Sequence, residues 1–392
     1  MLLGVLPASP VHAEDWREKL REGSQTRASV QALAPADGPE VSYQALLRGG
    51  YTSNANKDLD PVPSAYFRSE QELVMRKALG EAQLGLQLRG SIDTPFQAYE
   101  IEFADIESAV SIAGKGAGGR ALAATLSYRG KDDGGIVDHG LGLALETRKT
   151  AGRLTRFATV TADSYVYEPL DVGGAPFDLG DNDRLRLGLE TGLERPLTSA
   201  LTGTLSAGLV DIRYRRSHDL AGIERSSTSG FLRAGVAIGG EGPVTGEVGV
   251  MAFHRVYDEA AYAPETVLLG DASLAWRIGE KTQAGLQYLG DLDESVIYGV
   301  RGERSDVGVV SLTRALDEKL TATLAVYAEH VRYLGPDNTE LTKGVALELT
   351  RSLLPGLSLA LAGEVETTAS SALEEDIGVW KLSGGFNYAF SK

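Results

Sequence analysis

Leucine and other aliphatic residues recur at every second position in short segments along almost the whole chain, with glycine, small and charged residues between them. Residues 141–146 read LGLALE, residues 184–190 read RLRLGLE, and residues 357–364 read LSLALAGE. Successive side chains of an extended strand point to opposite sides, so each segment has one greasy face and one polar face. The polar face carries whole charges and the segments repeat at roughly 10 residues, which is the pattern of strands whose outer face meets lipid. The chain is therefore expected to be all-β: a single closed antiparallel transmembrane β-barrel.

Strand segments fall near residues 41–53, 66–79, 81–93, 97–112, 119–131, 136–149, 153–167, 182–195, 200–215, 223–239, 243–257, 264–279, 281–292, 302–315, 318–333, 340–353, 355–368 and 376–391. That is about 18 strands, within a range of roughly 16–18, and outer-membrane barrels of bacteria have even numbers. Tight connections rich in Gly and Pro, at residues 115–119, 150–152, 196–199, 239–243, 279–280, 317–318 and 354–356, alternate with longer ones at 54–65, 168–181, 217–222, 258–263 and 335–339. The first set reads as short periplasmic turns and the second as longer extracellular loops. The alternation falters near Ala104-Asp105 and Val210-Asp211, which predicts β-bulges or the points where strands leave the membrane.

Placing the leucines against lipid turns the opposite parity inward. The expected lumen-lining set is Arg48, Gln83, Gln87, Arg89, Arg129, Glu146, Arg184, Arg186, Glu190, Glu194, Arg233, Glu247, Asp271, Arg277, Gln287, Glu348, Glu364, Glu366 and Lys381. An Arg or Lys facing hydrocarbon near the midplane costs ~2–4 kcal/mol, so their consistent position opposite the leucines supports the inward assignment. Both signs occur. The arginines either form a ladder that guides anions or sugars, or pair with inward glutamates such as Glu190 and Glu194 and close the lumen. Trp276, Trp380, Phe386, Tyr388 and Phe390 form the expected aromatic belt, the last four on one parity of the final strand.

Composition narrows the function. Lys and Arg number 38 against 54 Asp and Glu, a net charge of -16, which argues against nucleic acid as a partner. Absence of cysteine removes thiolate chemistry, disulfides and cysteine-held metals. At 43% hydrophobic residues there is no apolar run of roughly 18, so no transmembrane helix is expected, which leaves barrel strands open. Residues 1–13, MLLGVLPASPVHA, carry an apolar stretch and the small-x-small pattern Val11-His12-Ala13 but no basic start, as in a signal peptide truncated at its beginning. Residues 14–40 read as a periplasmic segment, a short helix (EDWREKLREG) and then a linker with Pro35 and Pro39. The barrel occupies 41–392.

Candidate chemistry is sparse. The five histidines, His12, His139, His218, His254 and His330, show no HExxH or other paired-ligand spacing. The glycine-rich run at 114–119 lacks the Lys-Ser/Thr pair of a phosphate loop and reads as a turn. Asp178, Asp181 and Asp183 are a calcium candidate, though without the glutamate that closes an EF-hand loop. Asp291, Asp293 and Glu294 form a second acidic patch, read as solvated. No catalytic residue, resident metal or cofactor is expected, and the chain is read as no enzyme.

Residues 47–56, LRGGYTSNAN, resemble the opening strand of the β-barrel porin type 2 group, some of whose members are encoded with exopolysaccharide synthesis and export systems. The aromatic last strand also resembles the assembly signal of outer-membrane barrels, although Ser391 and Lys392 follow the terminal aromatic. The resemblance implies a channel in the outer membrane of a Gram-negative bacterium, surrounded by lipid and lipopolysaccharide and inserted by the barrel assembly machinery. It transfers no site residue. The expected function is a conduit with a polar lumen for export of a saccharide polymer or oligomer, with a periplasmic export partner. The alternatives are a general diffusion porin and a non-conducting barrel that anchors a surface or secretion assembly.

Overall fold

The computed structural model describes residues 40–54, 61–96, 103–116, 120–133, 136–172, 175–240, 242–259, 262–295, 299–335, 338–372 and 376–392. The expected signal peptide and nearly all of segment 14–40 lie outside the described residues. The strands are β1 (Glu40–Thr52), β2 (Ser64–Leu79), β3 (Ala82–Pro95), β4 (Phe103–Gly116), β5 (Arg120–Asp133), β6 (Ile136–Ala151), β7 (Leu154–Tyr167), β8 (Leu170–Val172), β9 (Ala175–Phe177), β10 (Arg184–Pro196), β11 (Leu201–Tyr214), β12 (Ser227–Ile238), β13 (Val244–Tyr257), β14 (Glu265–Arg277), β15 (Thr282–Asp293), β16 (Gly302–Ala315), β17 (Leu320–Leu334), β18 (Thr339–Leu354), β19 (Leu357–Ser370) and β20 (Ile377–Ser391). All but β8 and β9 belong to one 18-stranded sheet. Neighbours in sequence pair antiparallel, β7 passes directly to β10, and β1 closes against β20 from Ser42↔Ser391 to Thr52↔Lys381. Pairing of β1 with β20 closes the two ends of the sheet on each other, as lipid requires, because a strand edge there would carry unsatisfied amides and carbonyls.

Alternation sets the faces. On β6, Leu141, Leu143 and Leu145 are 54%, 42% and 46% exposed on the outside, while Glu146 is buried on the inside. On β10, Leu185, Leu187, Leu189 and Leu193 point out, so Arg184, Arg186, Glu190 and Glu194 point in. Inward aromatics lie over glycines of the adjoining strand: Phe157 over Gly192, Phe231 over Gly208, and Tyr327 over Gly344. These glycines make room for rings that fill the wall. The tight hairpins at Gly152 (φ +62°) and Gly356 (φ +75°) use left-handed backbone, which glycine adopts without steric cost.

The structure revises some local expectations. The fourth strand starts at Phe103, later than expected, and residues 97–102 lie outside the described residues. The connection at 168–181 contains the short β8–β9 hairpin. Neither expected bulge forms: Asp105 pairs with Lys131 and Asp211 with Thr228 in unbroken register. Asp105 simply faces in, and Asp211 faces out at the loop end of β11, where its carboxylate holds Arg213 at 2.7 Å and accepts from the Thr228 hydroxyl at 2.8 Å. The register shift lies instead between Ser352 and Leu354, beside the β18–β19 turn.

The two faces should respond differently to charge. Leu143→Arg, at the middle of β6 and facing out, is expected to destabilise the folded barrel by about 2–4 kcal/mol. Inward Ala144→Lys should cost much less. Urea unfolding in lipid vesicles compares the two, and equal losses would contradict the assignment of faces.

Candidate functional site

At the long-loop end three of the connections are joined to one another, and Arg225 is the hub. This residue, in the β11–β12 connection, is 3% exposed. Its guanidinium donates to the carbonyl of Ser295 at 2.9 Å, to the carbonyl of Asp181 at 3.0 Å and to Asn182 Oδ1 at 3.0 Å. Asp219 stands 3.9 Å away and the ring of Tyr214 lies 4.5 Å beneath. Asp219 also accepts from the amides of Ile223 at 2.9 Å and Gly299 at 3.3 Å. One cation thus ties together the connections after β7, β11 and β15. A guanidinium suits this because its planar fork of donors can serve several acceptors at once.

A second layer lies against the hub. Arg184 donates to the Tyr167 hydroxyl at 3.0 Å and stacks on Tyr165 at 4.6 Å. Arg255 on β13 donates to Glu294 at 3.0 Å, both side chains nearly inaccessible. The patch Asp291, Asp293 and Glu294, expected to be solvated, therefore contributes a buried ion pair. Burial pushes the Glu294 carboxyl above the ordinary range, against the pull of Arg255.

At the calcium candidate, arginines stand among the carboxylates. Arg216 bridges Asp178 at 2.5 Å and Asp181 at 2.6 Å, and Asp183 accepts from the amide of Tyr167 at 2.9 Å with Arg215 at 3.4 Å. Arg215 and Arg216 thus already bring positive charge to one oxygen of each of these carboxylates. The Arg216 bond holds the Asp178 carboxyl below its ordinary value. His139 lies between Tyr128 and Glu168, and His254 beside Thr266. Among the described residues, His218, Glu224 and Glu259 bring three donor atoms within 4.8 Å of one another at the loop end, a grouping no sequence spacing announces.

Further along the wall, most inward charges meet a partner, and several pairs reach over an intervening strand. Arg48 meets Glu348 at 2.5 Å, Arg89 meets Glu107 at 3.6 Å, and Arg129 meets Asp105 at 3.6 Å. Arg148, which the sequence reading passed over, joins Glu146 and Glu194, the latter at 2.8 Å. Arg233 on β12 reaches Asp271 on β14 at 3.1 Å across β13. Gly249 permits this, since a Cβ there would stand 2.7 Å from the Asp271 carboxylate. Gln87 donates to Glu72 at 2.6 Å, Arg277 to the Gly242 carbonyl at 3.3 Å, and the Tyr327 hydroxyl contacts Glu364 at 2.6 Å and Glu366 at 2.8 Å. Lys381 is the register partner of Glu364. Gln83 is buried, Gln287 is exposed, and Glu190 and Glu247 share the inward parity of their strands.

The expected polar lumen describes only part of this wall. Phe253 and Leu269 are buried with Leu292 and Leu334, next to Met251 and Phe231, and Val307 and Val309 pack on Tyr327 and Ala346. From β11 to β17 the wall toward the loop end thus carries apolar clusters among its charges. At the turn end a cavity of about 550 Å³ opens, lined by Gln44, Glu70, Glu72, Arg89, Ser358 and Asn387 among others.

A closed 18-stranded ring invites comparison with known proteins. The profile of the family described as putative beta-barrel porin 2 matches residues 129–382, more than half of the chain. The chain belongs to that family. Among solved structures, OccK2 (OpdF) of Pseudomonas aeruginosa superposes with a TM-score of 0.51 at 12% identity, over 90% of this chain and 98% of the other. The outer membrane protein OpdK of the same organism gives 0.48 at 14%, over 90% and 99%. The alcaligin outer-membrane receptor FauA of Bordetella pertussis gives 0.44 at 9%, over 91% and 76%. Such identities speak of fold alone. Curated protein sequences contain no match. This family member is therefore an outer-membrane, porin-like β-barrel.

Two measurements probe the loop closure. Arg225→Ala leaves Asp219 buried beside no cation, a loss of about 3–5 kcal/mol to the closed arrangement, and is expected to raise single-channel conductance in planar bilayers. An unchanged conductance would show that these loops do not limit the pore. Because the folded Glu294 pKa is raised, the native barrel binds more protons than the unfolded chain between the two values, so this group adds stability as pH falls. The melting temperature of the parent minus that of Glu294→Gln should therefore rise from pH 7 down to roughly pH 4.3, the ordinary glutamate value. A difference that falls over this range would reverse the assignment.

Proposed function

We propose that this protein is a channel of the Gram-negative outer membrane that passes small polar solutes through a constriction built by its own loops. The observation that carries the reading is the Arg225 hub, which ties three connections together at the loop end, with a cavity of about 550 Å³ at the turn end. Inward-paired charges are the features by which pores discriminate among solutes. The interior list of the sequence reading, from Arg48 to Lys381, supplies that lining, with Arg148, Arg225, Arg255 and Glu294 added to it. Seating in a bilayer is supported by the exposed aromatics: Trp276, Phe386, Tyr388 and Phe390 lie at the turn end, and Trp380 lies toward the loop end, 5.6 Å from Tyr51.

A saccharide polymer, the cargo expected from the resemblance, would need the loops to withdraw. Planar-bilayer recording in the presence of polyethylene glycols of graded size separates the readings. Discrete conductance insensitive to all but the smallest polymers is expected. Entry of large polymers would favour the export conduit. No conductance, in either the parent or Arg225→Ala, would favour a structural anchor.

A further inference from the structure

The barrel has one incomplete seam. The β14–β15 ladder runs only from Asp271↔Leu289 to Arg277↔Gln283. Both strands continue beyond it toward the loops, β14 to Glu265 against β13 and β15 to Asp293 against β16. Extending the same register would set Gly270 opposite Gly290 and Leu268 opposite Leu292. Side chains meet three of the backbone groups along that missing ladder. The Leu292 amide donates to Asp291 Oδ1 at 2.7 Å and the Glu294 amide to Asp293 Oδ1 at 2.8 Å, two amides on one edge of the strand. The Leu268 carbonyl accepts from Arg304 at 3.4 Å. An unzipped seam in lipid is ordinarily prohibitive because it leaves backbone groups without partners. Here the local sequence supplies partners to three of them.

What lies on each side gives the seam a use. Packed into it is an apolar cluster in which Phe253 and Leu269, from the inward parity of β13 and β14, meet Leu292 and Leu334, from the outward parity of β15 and β17, with Met251 and Val267 beside them. Outside, Leu268 is 64% exposed to the lipid side. Beside it on the outer face Arg304 is held by Asp306 at 2.9 Å, and the Tyr288 hydroxyl donates to the same carboxylate at 2.6 Å. Arg304 bonds through Nε and one terminal nitrogen, which leaves its other terminal nitrogen to offer hydrogen bonds to an incoming anion. Apolar side chains therefore fill the seam from the inner wall to the exposed Leu268, with a guanidinium at its outer side.

We infer that the β14–β15 seam is a lateral passage through which a single-chain amphiphile, a hydrocarbon tail bearing a carboxylate head, moves between the barrel interior and the outer leaflet. The tail follows the apolar cluster and the head pairs with Arg304 at the seam. This route is separate from solute flow along the axis.

The test locks the seam. The chain has no cysteine, so Gly270→Cys with Gly290→Cys gives one defined bridge on oxidation; a Cβ at position 290 would stand 3.3 Å from the Gly270 nitrogen. The full chain in lipid vesicles is exposed to a C12 carboxylate carrying a photoreactive diazirine, and labelled residues are mapped by mass spectrometry. Reduced protein should label at Met251 and Phe253 inside the barrel. Oxidised protein should lose that labelling several-fold, keep labelling at outward Leu143, and recover on reduction. Leu292→Trp, which fills the apolar path without a cross-link, should show the same loss. Interior labelling that is equal in locked and unlocked protein, or absent from both, overturns the lateral route. Ion conductance of the locked barrel reports on the axial channel separately, and its absence would sink that reading alone.

Discussion

Every other feature of this protein depends on one constraint: a backbone in hydrocarbon must satisfy its own amides and carbonyls. A strand cannot do so alone, so the sheet has to close, and β1 meets β20 over the length of both. Closure fixes the side-chain period at two, which forces each strand to divide its residues between lipid and interior. The outer face is then decided by cost, because a misplaced charge there offsets about what one or two leucines gain. The inner face is freer, and it is there that this barrel differs from a simple water-filled cylinder.

The interior is organised by reach. Strands of a barrel stand about 4.7–4.9 Å apart, so an arginine can span a whole neighbouring strand provided that strand offers no side chain in the way. Arg233 crosses β13 above Gly249 to Asp271, and Arg148 crosses β7 to Glu194 while its guanidinium lies 5.3 Å from the ring of Phe157. Each such pair couples strands that share no ladder. Toward the loops the same chemistry leaves the wall altogether, and Arg225 joins three connections that lie far apart in sequence. Low local dielectric strengthens these pairs, and it also makes each costly to break.

The outer face was legible from the sequence because it depends on period and cost alone. Leu141, Leu143 and Leu145, or Phe386, Tyr388 and Phe390, need no knowledge of a partner to be placed. The site was less legible, since parity says which way a side chain points and nothing about what it meets. Asp178 and Asp181 look like cation ligands until Arg216, from a different connection, is folded onto them. Glu294 looks like a solvated loop residue until Arg255 is brought beside it. The apolar interior was hidden for another reason. In residues 248–257 both parities carry large apolar groups, Val248, Val250 and Val256 on one and Met251, Phe253 and Tyr257 on the other, so the alternation fades where the wall is greasy on both sides. That loss of contrast was itself the signal of the apolar wall.

Closure and the seam between β14 and β15 stand in apparent conflict. A barrel that needs every ladder bond cannot spare one cheaply, yet here the ladder stops while both strands go on. The conflict resolves because the constraint concerns hydrogen bonds and not strands as such: an Asp preceding the amide it accepts from, or an arginine reaching a carbonyl from the next strand along, meets the requirement equally well. Asp291 and Asp293 alternate with Leu292 and Glu294, so the two carboxylates serve two amides on the same edge of β15. Alternation, which elsewhere divides lipid from lumen, at this edge spaces the acceptors that stand in for a strand. The same period of two that closes the barrel therefore also supplies the means to leave it locally unzipped.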